Sequence, residues 1–570
     1  MRYGDSGSRW LDAMRFVLYA LGLMLIPYAA FAAVTIPTTG LGGLINTVTP
    51  TLQPFIPSSN TLTGWPTGQY LNADGITTST VLQAGWQQGD LVNNGQTVIY
   101  YPYNFQTGGG FANQNTQIPH GIVLTYNNAV TGTGFGSFTN FSIFDLTTTT
   151  ITRPAGVTTA QDSPVLYIGG VLVGPTTYFV PGGGNNNYPV FVAYDTTKVV
   201  ADTTAYTFFP AMDRGTTSSN TLGAYYGWDT GDFDGRFVYY SPSVDTLVPQ
   251  HGSFNHGNIV RYDTTMPFTS SASWSHYDLA VHQNHAACVV ASSACVLGFE
   301  SSGYDGHRFI YFPARNTVYT ARFDTWNGGV GIDSNAFTND SAYKLFDATQ
   351  LGENGFPAVT GIGNVSDLKQ WTGVIFAWDR QHRNEYMYMV PWGSGPPDLT
   401  LNSTAVRARV GTMANGVWNY VDFTSSSAIP SPNWEIMDLS TFTLNAGWPS
   451  SWRIALPSGS EFTGDNQLSG WQLGWFDSSR NLVTFCADAN DYFAQHDVDH
   501  DLWDPTSWTF GIVGVSYRSG EMGGAMDPNL GYFYPSPPGQ FVIQVQGLFG
   551  GLTPNVGAKR RMTMKTGSVK

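Results

Sequence analysis

Charge is scarce in this sequence. Only 11% of its 570 residues are Asp, Glu, Lys or Arg, and 25 basic residues face 40 acidic ones, for a formal net charge of −15. A nucleic-acid-binding face needs clustered Lys and Arg to replace phosphate counterions. The one basic cluster lies in the last dozen residues, which argues against nucleic acid as a partner. Cysteine is scarcer still. Cys288, Cys295 and Cys486 are too few for a disulfide framework. Cys288 and Cys295 bracket a short loop and would close it as one disulfide in an oxidising compartment, leaving Cys486 as a buried thiol. Runs of Glu, Lys and Ala that would favour helix are nearly absent. There is no nucleophile elbow, no phosphate-cradling glycine loop and no arguable triad order.

What is present points to strands and turns. Aromatics make up 14% of the chain, beside Gly 65 and Pro 32 and much Thr, Ser and Asn. That profile has apolar content enough for a core, so it is β-rich rather than disordered. At the N-terminus Arg15 precedes the apolar run Phe16 to Ile26, then Pro27, then Ala30-Phe31-Ala32 with a small-x-small pattern. A run this short fits a signal peptide over residues 1–32 better than a membrane span, which needs about 20 residues. Met14 would serve as an alternative start. Retained, the segment would be a single anchor, and the membrane would then be a partner. Cleaved, the protein is secreted, surface-bound or periplasmic.

A repeat organises the rest. Aromatic-rich runs ending in proline recur as VIYYP at Val98 to Pro102, TYFVP at Thr177 to Pro181, RFVYYSP at Arg236 to Pro242, RFIYFP at Arg308 to Pro313 and EYMYMVP at Glu385 to Pro391. Each is followed by a second run such as VFVAYDT (Val190 to Thr196), NIVRYDT (Asn258 to Thr264) or AVRARVGT (Ala405 to Thr412). A third run closes the unit: FSIFDL (Phe141 to Leu146), WSHYDL (Trp274 to Leu279), YKLFDA (Tyr343 to Ala348) and WNYVDF (Trp418 to Phe423). Alternating aromatic and β-branched residues that stop at Pro, Asn, Asp and Gly give strands ending in tight turns. The aspartates of YDT, FDT and YDL stand where a strand enters a turn and accept turn N–H groups. The layout continues at Leu473 to Asp491 and Ala525 to Pro537, for seven units.

Three or four antiparallel strands in a unit of roughly 70 residues is the content of one propeller blade with long loops. The fold class is therefore all-β, a β-propeller of six to eight blades with seven preferred. It spans 81–550, after an extended arm over 33–80 and before a basic tail over 551–570. The aromatic strands, the YDT turns and the Gly169-Gly170 doublet with Tyr178 resemble secreted β-propellers of the kelch-like kind. That resemblance rests on architecture over most of 85–545. It implies the fold and carries no catalytic residues, because fold does not transmit function.

Several places have residue types that chemistry would need. Asp497, Asp499 and Asp501 alternate so that their carboxylates would converge on calcium if the loop curled; on a strand they would share one solvated face. The region His251 to Cys288 gathers His251, His256, His276, His282 and His285, and His282, His285 and Cys288 have near-ligand spacing for a transition metal. Asp229, Asp232 and Asp234, before the strand at Arg236, read as a turn device. Trp65, Trp86, Trp371, Trp392, Trp448, Trp452 and Trp503 fall in or near expected loops. Of these, Trp392, Trp448 and Trp503 make the expected binding rim, since rim aromatics stack on sugars or anchor proteins.

Three functions follow. The first is a non-catalytic extracellular propeller that binds a glycan or protein partner through its loops. The second is a secreted carbohydrate-active hydrolase or lyase with acidic residues at the funnel, Asp379, Asp477 and Asp527 being the first to inspect. The third is a self-assembling subunit of a virion or surface appendage, reaching neighbours through its arm and tail.

Overall fold

The alternation of large apolar and polar residues folds into seven sheets of four or more strands. In the computed structural model the described residues are strands at 44–47, 51–54, 70–71, 78–79 and within 525–545 and, between 83 and 512, the strands with their tight turns and some flanking residues. All belong to one compact unit that begins at Gly42.

Six sheets each have four antiparallel strands in chain order, innermost first. Blade A has Gln83–Val92, Thr97–Gln106, Ile122–Asn127 and Phe141–Asp145. Blade B has Tyr167–Val173, Thr176–Pro181, Val190–Asp195 and Tyr206–Pro210. Blade C has Trp228–Phe233, Phe237–Pro242, Asn258–Asp263 and Trp274–Asp278. Blade D has Gly303–Tyr304, Phe309–Phe312, Tyr319–Asp324 and Tyr343–Asp347. Blade E has Trp371–Trp378, Asn384–Pro391, Thr404–Ala414 and Trp434–Asp438. Blade F has Trp471–Asp477, Leu482–Ala487, Tyr492–Asp497 and Trp508–Ile512.

The seventh sheet, blade G, takes Ala525–Asp527, Gly531–Ser536 and Phe541–Val545 from the C-terminal part of the chain. Its outer strand, Thr51–Pro54, comes from the other end and pairs antiparallel with Phe541–Val545. Leu44–Thr47 adds a parallel strand outside blade F. Both short strands lie inside the stretch expected as an arm. Innermost strands of successive blades touch from A through F, and blade G packs against the innermost strand of blade A. This is the propeller expected, with the preferred number of sheets.

Each apolar cluster lies between two blades. Val171, Val180 and Phe191 of blade B meet Trp228, Tyr240 and Trp274 of blade C, and Tyr311 and Phe346 of blade D meet Trp371 and Trp434 of blade E. A blade buries its faces only against its neighbours, so the strand text recurs. Trp86, Trp228, Trp371 and Trp471 begin innermost strands and are buried outright. Trp86 and Trp371 are therefore core and not loop aromatics. Their spacing to a glycine recurs, as in Trp228 and Gly231. A Cβ at Gly231 would lie 2.6 Å from Val171 of blade B and from the Tyr239 carbonyl, so glycine permits the blades to approach.

Blade E corrects one expectation. WNYVDF is not its outer strand; Trp434–Asp438 is, paired with Thr404–Ala408. The third strand is long enough to continue past that pairing, turn at Asn415 and Gly416 with φ of 52° and 76°, and return as Val417–Tyr420. Asn-Gly with both φ positive makes the two-residue hairpin turn that matches strand twist.

Antiparallel alternation sorts the connections. First-to-second and third-to-fourth strand connections fall at one end of the blades, the turn end. Second-to-third and blade-to-blade connections, such as Pro391 to Thr404 or Asp438 to Trp471, fall at the other.

Candidate functional site

Blades C and D show what the repeat builds at the turn end. Asp234 Oδ1 accepts the N–H groups of Arg236 (2.8 Å) and Phe237 (2.7 Å), and its Oδ2 accepts the Tyr239 hydroxyl at 2.8 Å. Asp305 accepts from His307, Arg308 and Phe309 in the same way, at 2.8, 2.7 and 3.0 Å. The phenylalanine opening each second strand stands opposite the aspartate ending the third, Phe237 with Asp263 and Phe309 with Asp324. The arginine before it bonds that aspartate, Arg236 to Asp263 at 2.7 Å and Arg308 to Asp324 at 2.6 Å. Its guanidinium lies 4.6 Å and 5.0 Å from the Phe237 and Phe309 ring centroids. Carboxylate, planar cation and aromatic face thus form one closed unit.

Blade E rewrites all three positions. Asn384 replaces the arginine, Glu385 the phenylalanine, and Gly411 stands opposite Glu385 where the aspartate would be. Glu385 is only 1% exposed, and its Oε2 accepts the Trp418 indole N–H at 2.7 Å. Trp418 comes from the extra hairpin and could not lie there above anything but a glycine, since a Cβ at Gly411 would overlap its ring. His307 reaches over from blade D. It is one residue more than blade C has in its Asp-Gly turn, stacks on Trp418 (4.5 Å, 17°) and meets Trp378 edge-on (5.8 Å, 81°). Its Nε2 lies 3.8 Å from Glu385 Oε2, beyond hydrogen-bond reach.

Burial first, and then the nearby Asp305 carboxylate, push Glu385 up to about 9. Burial holds Asp305 at about 6 and pulls the His307 imidazole below its usual value. At neutral pH the junction of blades D and E therefore has a buried protonated carboxyl under a neutral imidazole, walled by two indoles. Asp305 Oδ2 finds no hydrogen-bond partner among the described residues.

The residues singled out from sequence are placed as follows. Asp497 stands opposite Leu482 as the blade F counterpart of Asp263, and its Oδ1 accepts the Asp499 N–H at 3.1 Å. Asp499 accepts the Arg380 backbone N–H at 2.7 Å and lies 3.2 Å from Arg380 Nε, while Asp497 is 3.8 Å from the same guanidinium. Asp501 turns its carbonyl to His496 at 3.4 Å. Among the described residues no three His, Cys, Asp or Glu side chains gather as metal ligands. His282 stacks on Tyr277 at 4.5 Å and lies 3.4 Å from Asp340. His256 is buried edge-on beside Trp228, and His276 bonds Asn258 at 3.1 Å. His285, Cys288, Cys295 and Trp448 lie outside the described residues, and Cys486 is buried. Trp392 packs under Arg315 at 4.3 Å, and Trp503 is 37% exposed at the turn end of blade F.

The funnel acids do not converge. Asp379 accepts the Arg383 and Asn384 N–H groups at 2.7 and 3.2 Å. Asp477 accepts from Ser479 at 2.9 Å and pairs with Arg480 at 2.7 Å. Both hold turns; the Asp527 side chain is outside the described ones. Asp229 and Asp232, in contrast, are not turn residues beside Asp234. They sit on the innermost strand, buried and held at about 6 by that burial. Asp229 takes the Ser243 hydroxyl at 2.5 Å, and Asp232 takes the Tyr304 N–H of blade D at 3.2 Å. Asp90 does the same service in blade A, bonding Tyr101, whose hydroxyl also meets Thr177 of blade B at 2.8 Å.

No family model and no curated protein matches the chain. Solved structures do match. One is described as "Crystal Structure of Mitotic Checkpoint Complex", at TM-score 0.32 and 8% identity over 73% of this chain and 78% of that one. At that level of likeness it bears on neither mechanism nor partner.

Proposed function

We propose that the protein is an exported, non-catalytic propeller that holds a protein or glycan partner at the ends of its blades. The observation that carries this reading is where departures from the repeat fall. Recurring acids such as Asp234, Asp305, Asp379 and Asp477 are bonded to turn N–H groups. The residues that break the pattern, His307, Glu385 and Trp418, meet at one blade junction. Two indoles and an imidazole around one carboxyl make a recognition surface; no serine or cysteine nucleophile stands in the cluster, and no second ionised carboxylate at glycosidase spacing. Export rests on the apolar run Phe16 to Ile26 followed by the small-x-small site. The contacts of Asp497 and Asp499 with Arg380 give calcium no added support.

The test uses the chain from residue 33 onward. Immobilised protein is probed with a glycan array and a panel of surface proteins, and in parallel with chromogenic glycosides and polysaccharide substrates of hydrolases and lyases. Saturable capture without turnover is expected. Turnover of any substrate that survives Glu385→Gln, or failure to capture anything, sinks the binding reading.

A further inference from the structure

We propose that the slot His307 occupies between Trp418 and Glu385 is a receiving site for a guanidinium group, an arginine side chain presented by a protein partner. The inference rests on the binding reading above and names the group that the junction takes.

The molecule supplies its own template. In blades C and D a guanidinium lies over an aromatic ring and bonds a carboxylate at 2.7 and 2.6 Å. Blade E keeps the carboxyl and aromatic walls and lacks the cation, because Asn384 stands where the arginine would be. His307 fills the slot with the right shape and the wrong chemistry. Its flat ring stacks on Trp418 at 4.5 Å, close to the stacking distances of the two arginines. Its nitrogen stops 3.8 Å short of the carboxyl. A guanidinium there would gain a charge-assisted hydrogen bond and a cation–π contact together. It would also offset the like-charge repulsion between Glu385 and Asp305, whose Oδ2 is buried and has no hydrogen-bond partner among the described residues. His307 is a replaceable occupant: it is 30% exposed and sits on a tight turn held by Asp305. His307→Gly would vacate the slot without touching Glu385 or Trp418.

The experiment titrates N-acetyl-arginine amide into the whole protein against sodium chloride of equal ionic strength, following indole fluorescence and melting temperature. His307→Gly is expected to bind at least about tenfold more tightly than the native protein, with a rise in melting temperature. Glu385→Gln in that background is expected to abolish binding while the far-ultraviolet spectrum is kept, and Glu385→Asp to retain part of it. Equal affinity in native protein and His307→Gly overturns the proposal. So does binding that survives Glu385→Gln, or N-acetyl-lysine amide bound as tightly as the arginine compound. Arginine binding that follows this pattern while every protein and glycan probe fails leaves the slot standing and removes the broader reading. Capture of a protein that is indifferent to Glu385→Gln does the reverse.

Discussion

Blades C and E share a four-strand plan and part company at the turn end. In blade C the first residue of the second strand is an aromatic, its partner an aspartate, and the arginine between them closes the unit. In blade E the same register position is a carboxylic acid facing a glycine, and neighbouring elements supply the walls. Blade C is complete by itself. Blade E is completed by a residue of blade D and by a hairpin no other blade has. Positions that repeat hold the fold together, and a position rewritten along with its surroundings marks where the molecule has been given something else to do.

That contrast can be attacked in order of expected effect. Trp228→Ala removes a fully buried indole that donates to the Asn258 carbonyl at 3.0 Å. It should lower unfolding free energy by about 3–5 kcal/mol, read from denaturant midpoints. Trp418→Ala at the junction should cost clearly less, and equal losses would mean that the hairpin belongs to the core. Asp234→Ala strips acceptors from two backbone N–H groups and from Tyr239, for about 2 kcal/mol. Asp379→Ala should fall in the same range, since it too caps a turn.

Glu385→Gln separates the two blades by pH. Held at about 9 against an ordinary value of 4.5, Glu385 stays protonated in the folded protein while the unfolded chain ionises. Its contribution to stability is complete below about pH 4.5 and is lost as pH rises toward 9. The variant, which has no proton to lose, should therefore gain in melting temperature relative to the native protein from pH 5 to pH 9. A difference that stays flat across that range would show that the carboxyl is not buried as described. Last comes Arg236→Ala. Its side chain is 40% exposed, so the loss should stay under about 1 kcal/mol and shrink in high salt.

The strands were legible in the sequence because alternating aromatics ending in proline give a period that nothing else imitates. Trp418 to Phe423 misled for the same reason: it has the outer-strand spelling, and only the Asn415-Gly416 turn after an over-long third strand shows that it folds back. The junction was hidden behind that error. Glu385 looks like an ordinary charged residue at a strand start until the register places Gly411 opposite and brings Trp418 in. His307 was visible as one extra residue in YDGHR compared with FDGR, a length difference whose meaning depends on the neighbouring blade. Leu44–Thr47 and Thr51–Pro54 have too few β-branched or aromatic residues to announce themselves, and they become strands through the edges that they pair with.

Because Thr51–Pro54 supplies the outer strand of the sheet made by Ala525–Val545, the last blade joins the two ends of a long chain. An early segment must wait through the synthesis of nearly everything else before its partner exists. Pairing at such sequence separation is slow to form. The ring therefore closes late: a chain cut short before residue 541 would keep most of its blades and have no way to shut, with a bare sheet edge open to other molecules.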